Sequence, residues 1–130
     1  MFSTKSALGA LANNTEDPLR KAFYLTKSGA RPSAEQVLVK MIQTCKDENL
    51  RQRPGSQLLA LVNTRASELA RAGDLAAALV AMQSMRELLF DRTVRLNWHL
   101  ARIEICKEAG DMRAHETEQQ SLYDYMEGRG

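Results

Sequence analysis

The stretch LARAGDLAAAL, residues 69–79, decides the fold because it places Gly-Asp between two segments of helix-forming residues. A similar stretch, CKEAGDMRAHE, occupies residues 106–116. Glycine adopts the left-handed conformation that ends many helices, and aspartate is a favoured N-cap for a following helix. Each stretch therefore predicts a tight turn between two antiparallel helices.

Apolar residues recur at helical spacing on both sides of these turns, and no segment has the sustained alternation of a strand. We therefore predict an all-α protein of three antiparallel helical hairpins, about six helices, stacked as a short array. An irregular small α-helical bundle is the alternative. The predicted organisation is a flexible N-terminal arm (1–14) and a single all-α domain (15–130), with an N-terminal hairpin (17–47), a linker (48–56) and two further hairpins (57–90 and 92–126).

The first hairpin has its own start and turn signals. Asp17-Pro18 predicts a helix start, because proline is tolerated in the first turn. GARPS, residues 29–33, predicts the break, with Ser33 and Gln36 as a capping box for the second helix. The polar segment that contains Pro54-Gly55 is the predicted linker.

The pattern A-x-x-L-x-x-x-G-D-L-x-x-A, residues 66–78, resembles the core of a tetratricopeptide repeat. In that family two small residues let the paired helices approach closely, and Ala66 and Ala78 match them, with Gly73 at the turn. The second copy is less similar, because Ile103 and His115 stand in place of the small residues. The resemblance covers about residues 57–126 and implies a helical repeat with a concave binding face.

The composition is that of a globular protein of 130 residues, with a net charge of +2 and 5% aromatic residues. The charge is uneven, since residues 1–65 carry ten Lys/Arg and five Asp/Glu. Cys45 and Cys106 are predicted to be reduced core thiols. No secretory signal or membrane-length apolar run is recognised, so a cytoplasmic protein is expected.

Residue patterns for catalysis or metal binding are not found. His99 and His115 lack a ligand spacing, and no phosphate-binding glycine loop or nucleophile motif occurs. We therefore expect a protein that is not an enzyme and has no cofactor and no metal. Arginines gather near the junction of the fourth and fifth helices, with acidic residues between them, which favours ion pairs within the protein; they are Arg86, Arg92, Arg95 and Arg102.

On the repeat model, the first helix of each hairpin lines the concave face, and the predicted partner-binding residues are Asn63, Arg65, Trp98, His99 and Arg102. Arg65 and Arg102 hold equivalent places one repeat apart, which predicts a partner that carries carboxylates. Met82, Met85 and Met112 are predicted to fill the core, with a methionine-lined groove as the alternative.

These observations favour a non-catalytic protein-binding module, an adaptor or small chaperone that holds a partner segment, either acidic or an amphipathic helix. Chaperones of bacterial type III secretion are small proteins with similar repeats, and that resemblance implies a cradled amphipathic helix. The alternatives are a structural subunit of a larger assembly or homo-oligomer, and a small nucleic-acid-associated regulatory protein. The near-balanced charge disfavours nucleic acid as the ligand.

Overall fold

The structure is a computed structural model that describes residues 4–14 and 16–129, with side chains from residue 7 onward. This part of the chain is all-α and contains no strand. Two short 3-10 turns, Glu48–Leu50 and Arg86–Leu88, interrupt the series. The α-helices in chain order are α1 (Thr4–Asn14), α2 (Pro18–Lys27), α3 (Arg31–Thr44), α4 (Gln52–Arg71), α5 (Leu75–Gln83), α6 (Arg92–Glu108) and α7 (Met112–Met126).

The chain divides into two compact units, Met1–Leu61 and Val62–Gly130, with the boundary inside α4. In the first unit α1 packs against α2, and α2 packs against α3. In the segment 1–14, where the sequence is compatible with a frayed arm or a short helix, Thr4–Asn14 form the helix α1. The buried apolar side chains of the first unit include Ala12, Ala22, Ala34, Leu38, Ile42, Leu58, Leu59 and Leu61.

In the second unit α5 packs against α6, and α6 packs against α7. Met82 and Met85 lie in its core as predicted, whereas Met112 is exposed. Its helices α6 and α7 are the elements that build the candidate site below. The buried apolar side chains of this unit include Val62, Ala66, Ala78, Ala81, Met82, Met85, Val94, Trp98, Ile105 and Cys106.

The Gly-Asp turns have the predicted geometry. Gly73 has a φ of 90°. Its N–H donates to Ala70 O at 3.0 Å, and the N–H of Asp74 donates to Leu69 O at 3.0 Å, which is the Schellman arrangement. The Asp74 carboxylate then accepts from the N–H of Ala77 at 2.9 Å and caps α5. The same bonds recur at the turn between α6 and α7.

The turn between α2 and α3 follows the same rule and corrects the predicted capping box. Gly29 has a φ of 89°, and the N–H of Ala30 donates to Leu25 O at 2.8 Å. The next helix begins at Arg31, with no side-chain cap, so Ser33 lies inside its first turn. The early start is possible because Pro32 needs no N–H partner there.

The linker predicted at 48–56 is shorter in the structure. A 3-10 turn is followed directly by α4, which begins at Gln52. Pro54 and Gly55 are buried in the first turn of α4 instead of breaking the chain. Proline is favoured in a first helical turn because its missing N–H needs no partner there, as at Pro32.

Candidate functional site

One face of α6 carries the polar side chains of the site. Asp91 caps the helix, with its carboxylate accepting from the N–H of Val94 at 3.0 Å. Arg95, Trp98 and Arg102 then follow at spacings of three and four residues, which places them on the same side of a helix. The buried Trp98 indole N–H donates to Met82 O at 2.8 Å and thereby joins α6 to α5.

These side chains form one wall of a cleft of about 360 Å³, which we call the arginine cleft. The end of α5 and the following 3-10 turn contribute a second wall, and α7 contributes the third. Its lining residues are Gln83, Arg86, Arg95, Trp98, His99, Arg102, Thr117, Glu118 and Ser121.

Arg102 is bound by groups of the protein itself. Its Nε and Nη2 donate to the two oxygens of Glu118, each at 2.8 Å. Its Nη1 lies 3.3 Å from both Leu79 O and Gln83 Oε1. The guanidinium also lies over the Trp98 ring, 4.7 Å from its centroid. Because both members of the ion pair are largely buried, this two-bond geometry compensates the loss of water around the two charges.

Arg95 is buried, with 8% of its surface exposed, and yet it has no carboxylate partner among the described residues. Its Nε donates to Nε2 of His99 at 3.0 Å. Its guanidinium lies 4.4 Å from the centroid of the Tyr125 ring. Buried arginines are normally paired with an acid, so Arg95 is an unusual feature of this cleft.

The electrostatics follow from this arrangement. Burial and the nearby charge of Arg86 lower the pKa of Arg95, while Tyr125 acts in the opposite direction. The pKa of His99 is lowered to about 4, first by burial and then by the charges of Arg95 and Arg102. The His99 ring is therefore neutral at pH 7, and the cleft carries an excess of arginine charge.

The protonation state of His99 leaves one donor without a partner. Because Nε2 accepts from Arg95, the ring proton of the neutral imidazole is on Nδ1. That Nδ1 is buried and has no hydrogen-bond partner. A buried polar group without a partner costs roughly 1–3 kcal/mol, so the wall of the cleft holds an unsatisfied donor.

The structure separates the five residues that the sequence predicted to bind a partner. Trp98, His99 and Arg102 lie together in the lining of the arginine cleft. Asn63 and Arg65, on α4, do not line it; Asn63 is half-buried with its Oδ1 unpartnered, and Arg65 is exposed. The carboxylate that Arg102 binds in the structure is the protein's own Glu118.

Sequence reasoning missed the importance of Glu118, Arg95 and Tyr125. For the two residues on α7 the spacing contained a signal, because Glu118, Ser121 and Tyr125 follow one another at intervals of three and four residues. That spacing places them on one face but does not identify which face of α6 they meet. The ion pair expected for the arginines is present at Arg102, with a partner 16 residues away.

Other kinds of site are less developed than the arginine cleft in the described residues. Within residues 4–14 and 16–129, no three His, Cys, Asp or Glu side chains are grouped to hold a metal ion. A cavity of about 480 Å³ in the first unit is lined by Val37 and Met41 together with Lys21 and Lys40. None of these four side chains is fully buried, so the arginine cleft is the more specific site.

The fold and the site define a class, that of small all-α proteins with a basic cleft between helices. The described helices include none with the length and hydropathy needed to cross a membrane. Comparison of the chain with protein-family models, with curated proteins and with solved structures gave no match. The functional argument therefore depends on the chemistry of the cleft.

Proposed function

We propose that this protein is a non-catalytic binding module that holds an acidic segment of a partner protein in the arginine cleft. The observation that supports this proposal is the pair formed by Arg86 and Arg95. Both arginines line the same cleft, where burial and then the charge of Arg86 lower the pKa of Arg95, and neither has an acidic partner among the described residues. Two neighbouring cations without a counter-ion form a site that an anionic ligand would stabilise.

Burial strengthens both the repulsion between Arg86 and Arg95 and the attraction of an anion to them. Charges that are partly removed from water interact more strongly than charges on an open surface. An acid that enters the cleft would lie near Arg86 and Arg95 together, and planar guanidinium groups bind carboxylates through two parallel bonds. Arg102 is already occupied by Glu118 and contributes mainly by holding α6 and α7 together.

This proposal includes an adaptor or small-chaperone role and the tetratricopeptide-like array expected from the sequence. Three helix pairs joined by the same kind of glycine turn support a repeat. The exposed α4 residue Arg65 is then a second contact for the partner. An acidic segment fits this model better than an apolar helix, because the cleft is lined mostly by polar and charged side chains.

The test uses a hexaglutamate peptide and the fluorescence of Trp98, which is the single tryptophan of the sequence and lies in the cleft. We expect the peptide to change the Trp98 emission and to bind with an affinity that falls as salt is added. Arg86→Gln should weaken binding by about tenfold, because it removes one of the two unpaired cations. Circular dichroism would verify that the variant is folded.

The matched control is Arg113→Gln, which makes the same charge change at an exposed position of α7 outside the cleft. It should leave peptide binding unchanged. Equal weakening by both variants would contradict the proposal, because the attraction would then be a general effect of net charge. Duplex DNA that binds more tightly than the peptide would instead favour the nucleic-acid alternative.

A further inference from the structure

Most of the unoccupied polar groups of the arginine cleft are hydrogen-bond donors. Arg86 and Arg95 contribute guanidinium N–H groups. The amide of Gln83 already accepts from Arg102 through Oε1, which leaves its NH₂ group as a donor. The Ser121 hydroxyl lines the cleft and can donate as well as accept. A ligand that satisfies this set must therefore present several acceptor oxygens.

The remaining polar groups do not change this conclusion. The Thr117 hydroxyl donates to Arg113 O at 3.0 Å, so it remains only as one acceptor beside several donors. Glu118 uses both oxygens to bind Arg102. The Nδ1–H of His99 is buried, so it is not among the donors that the cleft offers to a ligand.

The charge of the cleft indicates how much negative charge the ligand carries. Arg86, Arg95 and Arg102 contribute three positive charges, Glu118 contributes one negative charge, and His99 is neutral at pH 7. The excess is therefore +3 − 1 = +2. A single carboxylate would compensate half of it. A phosphate monoester carries between about −1.5 and −2 at pH 7 and has three terminal acceptor oxygens.

The orientation of Arg95 also suits a phosphoryl group. Its Nε donates to His99, and its guanidinium carbon lies 4.4 Å from the centroid of the Tyr125 ring. The Nη groups are then the part of the guanidinium that is not used by these contacts. A planar guanidinium with a fixed position binds two oxygens of a phosphate with little loss of side-chain freedom.

We infer that the arginine cleft binds a phosphate monoester dianion, carried by the acidic partner segment. This inference rests on the proposed function, because it specifies the chemical group that the partner places in the cleft. Arg86 and Arg95 bind the phosphoryl oxygens, and Gln83 and Ser121 donate to them from the rim. Arg102 and Glu118 position the walls of the cleft.

The experiment compares three synthetic peptides that share one sequence and differ at a central position, which is serine, glutamate or phosphoserine. Isothermal titration calorimetry and Trp98 fluorescence would both measure their binding. We expect the phosphoserine peptide to bind at least tenfold more tightly than the glutamate peptide, and the serine peptide to bind weakest. Inorganic phosphate should compete with the phosphoserine peptide for the same site.

A pH titration adds an independent signature. The second pKa of a phosphate monoester is about 6, so lowering the pH from about 7.5 to about 5.5 should weaken phosphopeptide binding roughly fourfold. His99 stays neutral in this range, because its pKa is about 4. Binding of the glutamate peptide should change much less, because its carboxylate titrates near pH 4.3.

Two substitutions test the assigned residues. Arg86→Gln should weaken phosphopeptide binding at least tenfold. Arg95→Lys keeps the charge and removes the guanidinium fork, and it should weaken the phosphopeptide more than the glutamate peptide. Arg113→Gln is the matched control and should change neither affinity. If Arg86→Gln does not fold by circular dichroism, Arg95→Lys and the pH titration still test the inference.

The outcomes separate the two claims. Equal affinity for the glutamate and phosphoserine peptides would overturn the phosphoryl inference and leave the proposed function standing. Binding of inorganic phosphate without binding of any peptide would support a phosphoryl site and overturn the protein partner. Absence of binding by all peptides and by phosphate would overturn both.

Discussion

Arg102 and Glu118 join α6 to α7 through two parallel bonds, with Nε 2.8 Å from Oε2 and Nη2 2.8 Å from Oε1. The pair is largely buried, and the guanidinium lies over the ring of Trp98. The protein thus neutralises one arginine of the cleft internally. The other two arginines of the cleft, Arg86 and Arg95, lack such a partner among the described residues.

The first prediction is that Glu118→Gln destabilises the protein by about 3 kcal/mol, because breaking a buried ion pair leaves Arg102 with an uncompensated charge. Urea unfolding followed by circular dichroism would measure the change. Glu116→Gln is the matched control, since Glu116 is exposed on the same helix, and it should change stability by less than about 0.5 kcal/mol. Similar effects of the two substitutions would show that the ion pair contributes little.

The second prediction concerns the turn glycine Gly73. Gly73→Ala should cost about 1–2 kcal/mol, because its φ of 90° is unfavourable for a residue with a Cβ atom. The added Cβ would meet no atom within 4 Å, so the cost is conformational and not steric. Gly9→Ala, inside α1 and equally free of clashes, should instead stabilise by about 0.5–1 kcal/mol. Thermal unfolding of both variants would test the opposite signs.

The helical turns were predictable because short-range interactions determine them. At residues 73–74 and 110–111, glycine ends one helix and aspartate caps the next, and every bond involved lies within six residues of sequence. Where two local signals competed, the prediction was wrong. Ser33 matched a capping box, but the glycine turn at Gly29 closes earlier and α3 begins at Arg31.

The candidate site was predictable only in part, because its pairs join different helices. Trp98, His99 and Arg102 were identified from their place on one helix, and the structure brings them together. The partner of Arg102 could not be identified, since several acidic residues are nearer in sequence than Glu118. Which carboxylate meets the guanidinium depends on the register between α6 and α7, and core packing determines that register.

The third prediction concerns the two thiols, which are both free. Cys106 is fully buried, and burial, with a smaller effect of Glu118, raises the pKa of its thiol. Because the thiolate is the reactive form, Cys106 should react with Ellman's reagent only after unfolding. The half-buried Cys45 should react in the folded protein. Cys45→Ser should then abolish the reaction under native conditions, and persistent fast labelling of that variant would contradict the prediction.

The last prediction is that the protein loses stability in mildly acidic solution because of His99. In the unfolded chain its pKa is near 6.5, and in the folded protein it is about 4. Between these values the unfolded state binds a proton that the folded state does not, so stability falls as the pH decreases from about 6.5 to about 4. The difference of 6.5 − 4 units corresponds to about 3 kcal/mol at the lower end of this range.

Urea unfolding at a series of pH values between about 7.5 and 4 would measure this loss. His99→Gln provides the control, because glutamine does not titrate and its amide oxygen can accept from Arg95. The variant should be less stable than the natural protein at neutral pH, and its stability should fall less steeply below about pH 6.5. Carboxylates titrate in both proteins, so the difference between the two profiles isolates His99. Parallel profiles would contradict the prediction, because they would mean that the imidazole is protonated as easily in the folded protein as in the unfolded chain.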